Sequence, residues 1–247
     1  MPLRAMLFDL WGTLFVHAPG EGDARAALRF ARVQAALDAL GERYALDEIR
    51  TAFDAAAREH ERIHAQSLDI SARGRTVLYL RHLDETLPDR LDGAAWRALD
   101  EALLTTALEV PPDVIPGSLD ALAEVKALGL PTALVSNAGL TPGFVLRELL
   151  ERAGLLPYLD LTFFSDEVEL AKPAPAFFAM ATGELGVEPA EAAFVGDQPV
   201  LDVLGPRQAG LWSVQLGDLE GDGIAPHARI AHLSELTGAL RGLGLIA

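Results

Sequence analysis

The stretch LFDLWGTLF, residues 7–15, runs from apolar residues into one carboxylate, Asp9, and then turns at Gly12 and Thr13. With Ala5 and Met6 before it, the apolar part has the length of a short buried strand. A carboxylate at the end of such a strand is costly unless something pairs it or uses it. Further along, short apolar runs recur at Thr132 to Val135, Leu161 to Phe164, Ala192 to Val195 and Leu211 to Gln215. Between them lie helical patterns at Leu119 to Leu128, Gly143 to Ala153 and Pro175 to Leu185. Strands that alternate with helices predict an α/β fold, a Rossmann-like doubly wound parallel sheet. A last run, Ile230 to Leu233, is expected as an edge strand before a final helix that ends at Leu243.

Residues 17–113 differ. Phe30, Val33, Leu37 and Leu40 recur at helical spacing, as do Ile49, Phe53, Ala56 and Ile63. Two more helical segments are expected at Arg75 to Leu87 and Ala94 to Leu108. This is an inserted α-helical domain, closed by the proline-rich EVPPDVIPG, residues 109–117. The expected division is therefore a core of residues 1–16 and 114–247, and a helical cap of residues 17–113. An insertion directly after the first strand is placed to cover the carboxyl ends of the sheet, where such folds bind ligands.

The chain has 247 residues and a formal net charge of −16. Nucleic acid and anionic membranes are repelled by such a field, so neither is an expected partner. No run approaches the roughly 18 apolar residues of a membrane span, and no signal-peptide pattern is present. The absence of cysteine excludes thiol catalysis and suits a reducing compartment. The expected setting is cytoplasmic, as a monomer or homodimer acting on a small anionic molecule. Such a substrate needs local positive charge, and Lys126 and Lys172 are the only lysines.

Polar groups follow the strand-like runs at Asp9, at Ser136 and Asn137, at Lys172, and at Asp197 and Asp202. Strand ends converge, so these side chains are expected to share one cleft. Three carboxylates at one point repel, and a hard divalent cation such as Mg²⁺ relieves that repulsion. Ser136 and the N–H groups around Gly12 and Thr13 are suited to an anion. A carboxylate between a cation and an anion site can attack phosphorus.

The stretches LFDLWGTLF, TALVSNAG (132–139), AKPAPAFF (171–178) and VGDQPVLDVLGPRQAG (195–210) together resemble the haloacid dehalogenase (HAD) superfamily, with a type 1 helical cap. The resemblance implies a hydrolase in which Asp9 is the nucleophile and Ser136 a phosphate-binding hydroxyl. Lys172 would neutralise the phospho-aspartyl state. Asp9, Asp197, Asp202 and the carbonyl of Trp11 would hold Mg²⁺, with Gly12, Thr13 and Asn137 completing the phosphate surroundings. The implied activity is a Mg²⁺-dependent phosphatase acting on a small phosphorylated metabolite through an aspartyl-phosphate intermediate.

Trp11 departs from that pattern. Phosphatases of the superfamily carry an aspartate there, which protonates the leaving oxygen and later activates water. An indole N–H has no useful acidity. Dehalogenases of the superfamily also lack this acid, so a metal-independent 2-haloacid dehalogenase is a second reading. A non-catalytic binder of phosphorylated ligands is a third. The phosphonatase reading fails because no lysine lies in residues 17–113.

HERIH, residues 60–64, matches the zinc motif H-E-x-x-H, but its charged surroundings and the lack of an evident third ligand argue against zinc. His17 is expected in a solvated loop, and Arg73, Arg75 and Arg81 mostly as surface charge. Asp166 and Glu167 are read as a solvated turn.

Overall fold

The computed structural model describes residues 2–247. The chain opens with β1 (Ala5–Phe8) and β2 (Phe15–Val16), then forms α1 (Glu21–Ala39), α2 (Leu46–His64), α3 (Ala72–Leu83) and α4 (Gly93–Leu104). It returns through β3 (Asp113–Val114), α5 (Ser118–Ala127), β4 (Thr132–Ser136), α6 (Gly143–Arg152), β5 (Leu161–Phe164) and α7 (Ser165–Val168). It ends with α8 (Pro175–Glu184), β6 (Ala192–Gly196), α9 (Gly205–Gln208), β7 (Trp212–Leu216), β8 (Ala228–Ile230) and α10 (Leu236–Gly242).

Six strands form one parallel sheet in the order β5-β4-β1-β6-β7-β8. Met6 and Phe8 of β1 face one apolar cluster, Ala5 and Leu7 the other. A strand covered on both faces reads as a continuous apolar run, which is why AMLF does not alternate. The strand order reverses around β1, because β4 and β5 lie on one side and β6, β7 and β8 on the other. That reversal opens a crevice at the carboxyl end of β1, and Asp9 is the first residue beyond it.

The helices α1 to α4 bury their own core, with Val33, Leu37, Ile49, Leu80 and Leu99 at its centre. Phe30 and Tyr79 each meet Phe53 edge-on, with ring centroids 5.2 and 6.0 Å away. The chain leaves and re-enters the sheet domain through the antiparallel pair β2–β3, where Phe15 faces Val114. Neither short strand is visible in the sequence, since two residues carry no periodicity.

Two of the helical expectations end differently. The segment expected over 75–87 starts earlier, because the Ser71 hydroxyl accepts from Gly74 N at 3.1 Å and caps α3. It stops at Asp84, whose backbone is extended. The segment expected over 94–108 ends at Leu104, with a short 3₁₀ turn following. The expected edge strand at 230–233 lies at Ala228–Ile230, and Leu233 begins a 3₁₀ turn. No helix among the described residues is long and apolar enough to cross a membrane.

Candidate active site

Asp9 is buried at the end of β1. Its carboxylate accepts from Lys172 Nζ at 2.5 Å and from the Thr13 hydroxyl at 3.2 Å. The same Nζ donates to Asp202 at 2.6 Å, so one buried ammonium bridges two carboxylates. Asp197 brings a third, and one oxygen of each of Asp9, Asp197 and Asp202 lies within 4.8 Å of the others.

Burial pushes the Asp9 carboxyl up to about 7, against the pull of Lys172, and the Asp202 charge adds to the rise. Burial would lower Lys172, but the carboxylates of Asp202 and Asp9 outweigh it and hold the ammonium above its usual range. Asp197 is raised too, chiefly by burial. With all three acids ionised, three carboxylates against one ammonium leave two negative charges. Asp197 Oδ1 is buried with no hydrogen-bond partner. An orphaned oxygen, excess negative charge and hard oxygen donors are what a Mg²⁺ site offers, and the residues present fit that ion.

The backbone brings these groups together. Gly12 has φ +80°, and a Cβ there would stand 2.5 Å from Asp197 Oδ2. Only glycine suits both the turn and the approach. At Gly196 a Cβ would meet Asp202 at 2.5 Å. The Asn137 side chain clamps the backbone of residue 172, accepting from Lys172 N at 2.7 Å and donating to Lys172 O at 3.1 Å. Asn137 thus positions the lysine. Ser136 is buried at the end of β4, and its hydroxyl reaches only Asn137 O, at 3.4 Å. Gln198 holds the acidic pair, donating from its side chain to Asp197 at 2.6 Å and from its backbone to Asp202 at 2.9 Å.

A cleft of 440 Å³ lies between the sheet domain and the helical insertion, lined in part by Trp11, His17, Arg25, Arg29, His64 and Asn137. The Trp11 ring stacks on His17 with centroids 4.5 Å apart. His17 is an exposed loop residue, as expected, and it also borders the cleft and contacts Glu21 at 3.1 Å. Arg25 and Arg29 carry no sequence motif. Their signal is positional, because Glu21, Arg25, Arg29, Val33 and Leu37 follow one another at intervals of four on the buried face of α1.

The H-E-x-x-H helix has a third acid near it that spacing did not reveal. Asp69 accepts from His60 Nε2 at 2.7 Å, Arg75 at 2.7 Å and the Ser165 hydroxyl at 2.5 Å, and His64 Nε2 lies 3.0 Å from it without a hydrogen bond. The Arg75 guanidinium occupies the same carboxylate and would repel a dication there. Arg75 is buried and also donates to Gly139 O, so it is no surface charge. Arg73 and Arg81 are exposed, and Arg73 lies over Trp96 at 4.5 Å. Asp166 is buried, too, and accepts from Gly143 N at 3.1 Å at the start of α6, while Glu167 pairs with Arg147.

The family profile for haloacid dehalogenase-like hydrolase matches residues 3–210. A phosphoserine phosphatase of Thermus thermophilus is 37% identical over 143 residues, covering 57% of this chain and 55% of that protein, so that match spans about half of the relative's length. A ribulose-1,5-bisphosphate 5-phosphatase of Halopiger xanaduensis is 30% identical over 210 residues, covering 85% of this chain and 83% of that protein. Among solved structures, a 2-haloacid dehalogenase from Pseudomonas syringae pv. Tomato shares the fold, with a TM-score of 0.69 over 98% of this chain and 99% of that one at 21% identity. The chain belongs to the haloacid dehalogenase-like hydrolases. It is an enzyme of that family, and phosphatase-named relatives align over most of its length.

Proposed function

We propose that the protein is a Mg²⁺-dependent phosphatase that hydrolyses small phosphate monoesters through an aspartyl-phosphate at Asp9, with residues 17–113 as its cap. The observation that carries this reading is the buried Lys172 ammonium between Asp9 and Asp202, with the orphaned oxygen of Asp197 beside them. A metal-independent 2-haloacid dehalogenase has no use for a cation beside its nucleophile, whereas three clustered carboxylates with one orphaned oxygen are suited to hold one.

Asp9, Asp197, Asp202 and the Trp11 carbonyl would hold Mg²⁺, which when bound supplies positive charge beside the phosphoryl oxygens. One Asp9 oxygen attacks phosphorus and the ester oxygen departs. Thr13 holds the other Asp9 oxygen and keeps the attacking one aimed. Lys172, fixed by Asn137, offsets the charge that gathers on the phosphoryl group. Water then cleaves the acyl phosphate. Ser136 and the N–H groups of Gly12 and Thr13 form the anion side of the site. Closure of the cap over the cleft excludes bulk water.

Phosphate release from a panel of alkyl, aryl and acyl phosphates, with Mg²⁺ and with EDTA, tests the proposal. Metal-dependent release is the expected result. Halide release from 2-halo acids in EDTA, with no phosphate release, would replace it with the dehalogenase reading. Mg²⁺ is also expected to raise the melting temperature. Because burial raises the Asp9 carboxyl well above the usual carboxylate range, protons compete with the ion, and the rise should be larger at pH 8 than at pH 6. An equal rise at both values would separate metal binding from Asp9.

With tryptophan at position 11, no acid protonates the leaving oxygen. Activated esters are expected to turn over far faster than alkyl esters. Trp11→Asp should raise kcat for alkyl phosphates by about 10-fold or more, since general acid–base help is worth roughly 10²–10⁴-fold. A folded variant with no gain would show that the missing acid is not what limits turnover.

A further inference from the structure

We propose that Arg29, with Arg25 beside it, binds a carboxylate on the organic part of the substrate, so that the preferred substrates are small phosphate monoesters that are also carboxylic acids. The phosphate half of this statement rests on the function proposed above.

The argument starts from a charge without a counter-charge. Arg29 is buried, yet it donates only to neutral oxygens, Leu103 O at 2.9 Å and the Thr106 hydroxyl at 3.0 Å. No carboxylate pairs with it among the described residues. The Phe53 ring, 5.3 Å from the guanidinium carbon, compensates part of the charge. Burial, and then the like charge of Arg25, draw its pKa down to about 10, so it is still cationic at neutral pH. A buried ion without a partner costs several kcal/mol. Such a cost is tolerable where a ligand supplies the missing anion.

Arg25 is different. Glu21 neutralises it, and its Nε and Nη2 donate to Val110 O at 3.1 and 2.7 Å. The pair therefore presents one net positive charge. The bonds of both residues run from Nε and Nη2, and no hydrogen-bond partner among the described residues engages either Nη1. Both arginines line the cleft that is also lined by Trp11, two residues beyond Asp9, and by Asn137, next to Ser136.

One net charge decides the class of ligand. A carboxylate brings one negative charge and two coplanar oxygens, which the guanidinium fork matches. A second phosphate would bring about two charges against one, within a protein of net charge −16. The carboxylate is the better match.

The test compares kcat/KM for phosphoglycolate and longer phospho-carboxylic acids with that for their neutral carboxamides. The wild-type enzyme is expected to favour an acid over its amide by about 30-fold or more, the usual scale for a buried charge-assisted pair. Arg29→Gln should bring that ratio close to one, and Arg29→Lys, which keeps the charge but loses the fork, should leave an intermediate ratio. A wild-type ratio near one along the series overturns the proposal without any variant. So does an unchanged ratio in either variant that still melts cooperatively. If the wild type hydrolyses no phosphate ester and instead releases chloride from 2-chloropropionate, the phosphatase reading falls and this substrate class falls with it.

Discussion

Asp9→Asn is expected to lower phosphate release by roughly 10⁴-fold or more, because it removes the attacking oxygen and leaves the rest of the site in place. The same variant should not melt earlier than the wild type in metal-free buffer. The wild-type site holds three carboxylates against one ammonium, and asparagine removes one of the repelling charges. Lys172 keeps Asp202 as its partner at 2.6 Å. The pH dependence has a definite sign. The folded protein binds the Asp9 proton more tightly than the unfolded chain, since the carboxyl is raised from 3.8 to about 7. The contribution of Asp9 to stability therefore falls as pH rises through that interval. Asparagine has no such slope, so the variant should gain on the wild type between pH 4 and pH 7, then run parallel to it. Melting curves across that range and a single-point phosphate assay check both halves. A variant that loses activity but also melts well below the wild type at pH 7 would mean that Asp9 is a structural partner of Lys172 first.

The sheet was legible because both of its faces are buried, so each strand prints a short apolar run. The reversal at β1 was legible only as an expectation that strand ends converge. The parallel register that places Phe8 between Leu134 and Val195 is a tertiary fact. Among the site residues, Asp9, Ser136 and Asp197 lie at or just past strand ends and could be named in advance, and Asp202 follows in the helical turn Pro199–Leu204 after β6. Lys172 was visible through scarcity. Residues on the insertion were not. Arg25 and Arg29 look like ordinary charges of an amphipathic helix until one notices that they stand in register with Val33 and Leu37. Asp69 lies five residues beyond His64, in a loop whose path is set by hydrogen bonds to the sheet domain, Asp69 N to Glu169 O and Ala171 N to Ser67 O. Local spacing along a helix cannot foresee a partner delivered by a loop, and so the histidine pair read as lacking a third acid.

Loss of Asp69 should cost a large share of the stability. Its carboxylate accepts from His60, Arg75, Ser165 and its own next amide, Ile70 N, at 2.7 Å, and His64 Nε2 stands 3.0 Å away. Ser165 belongs to the sheet domain and the others to the insertion, so one buried acid joins the two. Asp69→Ala would leave Arg75 as a buried cation without its counter-ion, a change worth about 3–5 kcal/mol. For a chain of this size that corresponds to roughly 6–20 °C in melting temperature. Arg75 also donates to Gly139 O, two residues beyond Asn137, so the loss should reach the clamp on Lys172 and lower kcat in the surviving folded protein. The acid dependence follows from the pKa. Burial alone would raise Asp69, but the two histidines, then Arg75 and Ser165, hold it far below the usual carboxylate range. A depressed carboxyl contributes stability that is complete above the unfolded value near 4 and drains away as pH falls below it. The wild type should therefore lose stability between pH 5 and pH 3 more steeply than Asp69→Asn, and the two curves should converge in acid. Denaturant titrations at pH 7, 5, 4 and 3 measure this directly. Parallel curves, or a loss below about 1 kcal/mol at pH 7, would mean that the Asp69 cluster is not what ties the insertion to the sheet domain.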